Sequence, residues 1–368
     1  MKKIIVLPIF LLLMIAGCAE NDHQNTGTEP GNASGERENE GQEEQILLIE
    51  NQEVIAENLE IPWSIEKLED TFYLTERPGY IIRMENGEIE RQDVELEKEL
   101  SSVPEAGLLG FVLDPEFLES NIAYAYYTYD DSSGPLNRIV TLRLEENVWR
   151  EKSLLLNNIP SGTYHHGGRL KIGSDGKLYV TTGDASAPDI AQDLDSLGGK
   201  ILRMNLDGSI PNDNPYPNSY VYSYGHRNPQ GITWSSDGTL YSSEHGSRAN
   251  DEVNLIEAGQ NYGWPIIEGN EEQEGMVSPL FTSGDTNTWA PSGMDYYDGK
   301  LYVAALRGSA VLEFDLETGE QREVISGLGR IRDVLIEDNY LYFISNNTDG
   351  RGNPAENDDK LYRISIQN

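Results

Sequence analysis

The 368-residue chain has a single cysteine, which excludes any intrachain disulfide and any thiolate-ligated metal cluster. It is also short of positive charge: 27 Lys and Arg stand against 63 Asp and Glu, a formal net charge of −36. A surface of that sign repels nucleic-acid phosphates and anionic headgroups, so nucleic acid is excluded as a partner. Apolar side chains make up only 38 %, and no long segment repeats them at i, i+3, i+4 and i+7. A helical core is therefore not expected. Four motifs are absent as well: the Gly-rich phosphate loop, the His-Glu-x-x-His pair, the Gly-x-Ser-x-Gly elbow and the Rossmann fingerprint. Their absence argues against nucleotide and nicotinamide cofactors. What the chain does have is 36 Gly, 17 Pro and 20 Tyr, a composition suited to β-strands with many turns.

The cysteine sits at an informative place. Lys2 and Lys3 precede an apolar stretch, Ile4 to Ala16, and Ile15-Ala16-Gly17-Cys18 follows. That stretch is too short to span a bilayer and has the proportions of an export signal. The tetrapeptide resembles a bacterial lipobox, in which Cys18 would be lipidated and become the mature N-terminus. We read residues 1–17 as a lipoprotein signal peptide and 18–45 as a disordered acidic tether with almost no apolar side chains. Residues 46–368 are expected to form the folded catalytic domain. The expected location is the cell envelope, on the outer face of a bacterial membrane and held by the lipid anchor only.

From Ile46 onward, short β runs alternate with turn residues. The clearest unit runs from Gly167 to Asp184, where two strands flank Asp175-Gly176, an Asp-Gly pair suited to a tight turn. Relatives begin at Pro62, Gly107, Pro229, Pro291 and Arg332, which makes six units about 40 to 60 residues apart. This spacing predicts an all-β fold, a six-bladed β-propeller of four-stranded antiparallel blades in one domain. A two-sheet sandwich is the competing architecture. Ile46-Leu47-Leu48-Ile49 or Val54-Ile55 is expected to pair near Leu361-Tyr362-Arg363-Ile364, leaving no open sheet edge.

Candidate chemistry gathers at the strand ends. His165, His166, His226 and His245 all lie there, and histidine is the side chain suited to general-base work near neutral pH. Arg227 with Asn228, and Arg307, Arg330 and Arg332, point to an anionic ligand gripped by guanidinium forks. The oxygen-rich stretch from Glu244 to Asn254 suits Ca²⁺, which takes six to eight hard ligands.

At these clusters the sequence resembles the soluble quinoprotein sugar dehydrogenases, the glucose/sorbosone dehydrogenase family that uses pyrroloquinoline quinone (PQQ) and Ca²⁺. The matching stretches include Leu74-Thr75-Glu76-Arg77-Pro78-Gly79, Gly107-Leu108-Leu109-Gly110, His165 to Leu170, Thr182-Gly183-Asp184 and Tyr222 to Gly231. Asp251 to Ile256, Asn261-Tyr262-Gly263-Trp264-Pro265, Ala290 to Met294 and Gly329 to Val334 continue in the same order. The resemblance implies His165 as catalytic base, oriented by Asp184 and by the residue before it. It implies Arg227 and Asn228 on the quinone and on the charge that develops there, with Arg307, Arg330 and Arg332 also binding the cofactor. The carbonyls of Gly246 and Ser247 match the pair that holds the PQQ-bound Ca²⁺. Asp251, Glu252 and Tyr262 match a second, structural Ca²⁺ site. Glu105 and Tyr164 fall at substrate-binding positions.

The sequence departs from the glucose-oxidising branch at Tyr164 (Asp there), Glu105 (Gln), Arg307 (Lys) and Ser247 (Pro). These departures look more like the aldose sugar dehydrogenase branch and leave the sugar open. The implied reaction oxidises the C1 hydroxyl of a cyclic aldose to a lactone, by base-assisted hydride transfer to the quinone, with electrons passing on to an external acceptor. A Ca²⁺-dependent lactonase and a non-catalytic sugar- or protein-binding surface lipoprotein are the alternatives.

Overall fold

Alternating apolar and polar residues bounded by Asn, Asp and Gly fold this chain into successive antiparallel hairpins. A computed structural model describes residues 52–366. Cys18, the signal segment, the tether and the Ile46–Ile49 pairing alternative lie outside the described residues. The first strand is β1 (Glu53–Ala56). An antiparallel run follows, β2 (Pro62–Leu68), β3 (Thr71–Glu76), β4 (Tyr80–Glu85) and β5 (Glu88–Glu95). The next run is β6 (Leu108–Leu113), β7 (Ile122–Asp131), β8 (Gly134–Glu145) and β9 (Val148–Pro160).

Three four-stranded sheets come next. They are β10 (Leu170–Ile172), β11 (Leu178–Thr182), β12 (Lys200–Met204) and β13 (Val221–Tyr224); β14 (Pro229–Trp234), β15 (Leu240–Glu244), β16 (Glu252–Ile256) and β17 (Phe281–Thr282); and β18 (Pro291–Tyr297), β19 (Lys300–Ala305), β20 (Ala310–Asp315) and β21 (Gln321–Ser326). The chain ends with β22 (Ile331–Glu337), β23 (Tyr340–Ser345) and β24 (Leu361–Ser365).

The protein is all-β, with four sheets of four strands and one of eight. The eight-stranded sheet joins the runs β2–β5 and β6–β9 through a short parallel contact of their outer strands, Val94↔Trp149 and Glu95↔Arg150. The first strands β2, β6, β10, β14, β18 and β22 each pack on the next, and β22 returns to β2. β1 supplies the fourth strand of the last sheet, with Val54 opposite Tyr362, so the pairing expected for Val54-Ile55 is present. The Gly167–Asp184 unit is a hairpin, but its connection is five residues, Gly173 to Lys177, longer than a two-residue Asp-Gly turn. Only Gly176 there takes a left-handed conformation (φ 69°), while Asp175 Oδ1 accepts the Lys177 N–H at 3.1 Å.

Buried aromatics pack between the two runs of the eight-stranded sheet. Trp149 meets Phe111 edge-on with centroids 5.2 Å apart and stacks on Phe117 at 5.9 Å. Polar ties join the first strands at the centre of the ring. Arg169 Nη1 pairs with Asp333 Oδ2 at 2.7 Å, its guanidinium lies 4.2 Å from the Trp63 ring centroid, and its Nε donates to the Gln230 carbonyl at 2.9 Å. These ties make a rigid floor beneath the loops that precede the first strands.

Candidate active site

The segments leading into β6, β10, β14, β18 and β22, with the β15–β16, β19–β20 and β23–β24 connections, enclose a cavity of about 510 Å³. Of the residues singled out in the sequence, it brings together Glu105, Tyr164, His165, Arg227, Asn228, Gly246, Ser247, Asp251, Arg307, Arg330 and Arg332.

His165 has a left-handed backbone, φ 67°, where a bulky residue is strained. The glycines around it make that conformation possible. A Cβ on Gly183 would fall 2.0 Å from the His165 carbonyl oxygen, and one on Gly167 would fall 2.6 Å from that of Thr181. His165 Nδ1 lies 2.7 Å from Asp184 Oδ1. Asp184 is itself held, Oδ2 by the Trp264 indole N–H at 2.8 Å and Oδ1 by the Ser186 amide at 2.8 Å. An acceptor at Nδ1 assigns the proton to that nitrogen and leaves Nε2 with the lone pair. His166, the adjacent candidate base, is buried with both ring nitrogens engaged, by Ser161 Oγ at 2.7 Å and the Pro104 carbonyl at 2.9 Å. Its role is to pin the loop.

The arginines form another wall. The Arg227 amide donates to Glu244 Oε1, and Glu244 Oε2 takes His226 Nδ1 at 2.8 Å. His226 stacks on Tyr262 with centroids 4.7 Å apart, so Arg227 starts from a fixed point. Its guanidinium sits 5.3 Å from the Trp264 ring centroid. Asn228 Oδ1 accepts the Gly167 amide at 3.0 Å, fixing the side-chain amide's orientation. Arg332 is buried and donates to Gln230 Oε1 at 2.9 Å. Burial, with Arg330 and Arg77 close by, presses its pKa down to about 9. Arg330 pairs with Asp349 at 2.9 Å, and Arg307 is exposed at the rim.

Arg227 Nε and Arg332 Nε, on residues that line the cavity, are buried with no acceptor among the described residues. Orphaned guanidinium donors fit a ligand that brings several carboxylate or carbonyl oxygens. His245 is pushed down to about 4 by burial, so it is neutral at pH 7, and its Nε2 is also without a partner.

The cation positions divide in two. The Gly246 amide donates to Asp251 Oδ1 at 2.9 Å, and Ser247 donates to Glu268 through its amide and, at 2.9 Å, its hydroxyl. No hydrogen bond between described residues falls on either carbonyl, which leaves both open to a hard cation. Asp251, just before β16, and Glu252, its first residue, line different cavities. Asp251 lines the main cavity, where Oδ2 accepts Thr288 Oγ1 at 2.8 Å and the amides of Trp289 and Ala290. Its carboxylate is thus occupied by N–H and O–H donors. Glu252 faces a water-sized cavity of about 10 Å³ together with Glu244, Glu268 and Tyr262. Burial, reinforced by Glu244, raises its pKa to about 8. The Tyr262 phenol donates to the Leu255 carbonyl at 2.6 Å, so only its main chain is left to act as a ligand.

The glucose/sorbosone dehydrogenase family model matches residues 59–363. The chain belongs to that family, whose members are oxidoreductases. It is 30 % identical to the aldose sugar dehydrogenase YliI of Escherichia coli over 82 % of this chain and 91 % of that protein. It is 34 % identical to quinoprotein glucose dehydrogenase B of Acinetobacter calcoaceticus over 62 % of this chain and 55 % of the relative. Among solved structures, the PQQ-bound aldose sugar dehydrogenase of Streptomyces coelicolor superimposes with a TM-score of 0.80 at 34 % identity, covering 85 % of this chain and 96 % of the other.

Two arginines that line this glucose/sorbosone dehydrogenase cavity, Arg248 and Arg351, were given no role from sequence, and both reach it from loops. Trp264, named from sequence only as part of a matching stretch, reaches Asp184 from 80 positions away. The only sequence signal for the two arginines was an arginine in a loop otherwise rich in acidic and turn residues.

Proposed function

We propose that this protein is a PQQ- and Ca²⁺-dependent aldose dehydrogenase whose six hairpin units are the blades of a propeller, and that His165 is its catalytic base. One observation carries the reading: the His165–Asp184 pair opens onto the same cavity as guanidinium donors that lack acceptors. Arg227, Asn228, Arg307, Arg330 and Arg332 would hold the cofactor, and the Gly246 and Ser247 carbonyls its Ca²⁺. Glu252 and the Tyr262 main chain would hold the structural ion. Bound PQQ with Ca²⁺ would supply the two-electron acceptor for the hydride that leaves C1 of the sugar.

The chain's own residues do the rest. His165 Nε2 removes the proton of the C1 hydroxyl, and Asp184 stabilises the imidazolium so formed. Arg227 supplies positive charge where negative charge develops. Glu105 and Tyr164 line the mouth where the sugar hydroxyls would lie. The product is a lactone, and the electrons leave through an external acceptor. The lipid anchor at Cys18 would keep this chemistry at the outer face of the membrane.

Reconstitution tests the reading. Purified apo-protein given PQQ and Ca²⁺ should bind the quinone and reduce a dye with aldoses. A protein that binds no PQQ in the presence of Ca²⁺ would overturn the proposal.

A further inference from the structure

One residue at the mouth ties together parts of the site that are far apart in sequence. Arg351 Nη1 pairs with Glu105 Oε1, and Glu105 Oε2 accepts the backbone N–H of His165 at 3.3 Å. The Arg351 guanidinium lies 5.5 Å from the ring centroid of Tyr164, the residue just before His165. Glu105 and His165 both have left-handed backbones, φ 66° and 67°, so both are held against local preference. His166 secures the residue before Glu105 through the Pro104 carbonyl. From the far side, the Arg351 amide donates to Asp349 Oδ1 at 2.9 Å, and Asp349 Oδ2 grips Arg330. The β23–β24 connection thus reaches from a cofactor-side arginine to the backbone of the proposed base.

We propose that Arg351 is a positioning residue for His165: paired with Glu105 across the mouth, it holds that carboxylate on the His165 amide and so fixes the imidazole against Asp184. This rests on the dehydrogenase reading for its catalytic consequence, while its structural consequence stands alone. The titratable and charged groups facing Glu105 come from several elements: Arg77 after β3, His165 and His166 before β10, His245 after β15, Arg332 in β22 and Arg351. Burial works to raise the Glu105 pKa, but Arg351 above all, then His166 and His245, hold it down at about 2. Without Arg351 the strongest opposing charge is gone, and Glu105 takes up a proton at a higher pH.

The test uses Arg351→Ala and Arg351→Lys. ¹⁵N-histidine labelling of the protein gives only five histidine amide signals, so exchange at the His165 amide can be followed without cofactor. Arg351→Ala should speed that exchange at least about tenfold, and Arg351→Lys should restore most of the protection. In the PQQ- and Ca²⁺-loaded protein, Arg351→Ala should lower kcat about tenfold and move the acid limb of the pH profile up by about one unit, with PQQ affinity unchanged. His165 exchange equal to wild type in Arg351→Ala overturns the proposal, as does an unmoved acid limb with unchanged kcat. If wild type binds PQQ but oxidises no sugar, the dehydrogenase reading falls, and amide exchange still decides the role of Arg351.

Discussion

Asp184 holds His165 Nδ1 at 2.7 Å while taking the Trp264 indole N–H on its other oxygen, so the carboxylate joins the segment before β10 to a separate loop, with the Ser186 amide as a further donor. An imidazole fixed in this way presents a single tautomer to the cavity. His165→Ala should abolish dye reduction and leave PQQ binding within a few-fold of wild type. Asp184→Asn should lower kcat about 100-fold, because the amide can donate to Nδ1 and favour the wrong tautomer. Steady-state kinetics with quinone titration check both. Near-normal turnover in His165→Ala would remove it as the base.

Arg332 separates binding from stability. It is buried, with a depressed pKa and an unpartnered Nε, so the apo-protein bears the desolvation of a guanidinium that a ligand has yet to satisfy. Arg332→Met should therefore leave the apo-protein's Tm unchanged or higher, while weakening PQQ binding at least about tenfold. Thermal melts and quinone titration decide it, and unimpaired PQQ binding would take Arg332 out of the cofactor site.

The two neighbouring carboxylates at the start of β16 should behave differently. EDTA is expected to lower the Tm of wild type, since an ion that binds only the folded state stabilises it. Glu252→Gln should make the Tm insensitive to EDTA. Asp251→Asn should lower the Tm with or without chelator, because its carboxylate accepts the Gly246, Trp289 and Ala290 amides. A wild-type Tm that ignores EDTA would exclude the structural ion.

Glu66 gives stability a pH dependence from the centre of the ring. Burial pushes it up to about 8, against the pull of Lys171 and with Asp333 adding to the rise. Because the folded state holds this proton more tightly than the unfolded chain, the contribution is full below about pH 4.5 and is lost as pH rises through about 8. Glu66→Gln keeps the neutral form, so its Tm relative to wild type should increase from about pH 5 to about pH 8 and then level off. Parallel Tm profiles for the two proteins would refute the assignment.

Much of this was legible in the chain. The hairpin units starting at Pro62, Gly107, Gly167, Pro229, Pro291 and Arg332 supply the six mutually packed first strands, because alternation and turn residues are local signals. The Val54–Tyr362 pairing followed from the need to cover a sheet edge. The Glu105–Arg351 pair spans 246 positions, and no local pattern couples a loop arginine to a particular loop glutamate. Asp251 and Glu252 were grouped by the family resemblance, and nothing in their local sequence shows that their side chains line different cavities. The eight-stranded sheet arises from two residue pairs between outer strands, too few to leave a sequence signature.

The direction of β1 decides how the protein could be attached to anything else. Ala56 pairs with Leu361, which leaves the loop carrying Arg351 at the cavity end, so Glu53 lies toward the opposite end of the sheet. Glu53, the first residue of β1, therefore lies on the side away from the mouth. Coupling this protein to an electrode or bead through a residue just before Glu53 should leave sugar and electron acceptor free to diffuse in, whereas coupling through the β23–β24 loop should block them.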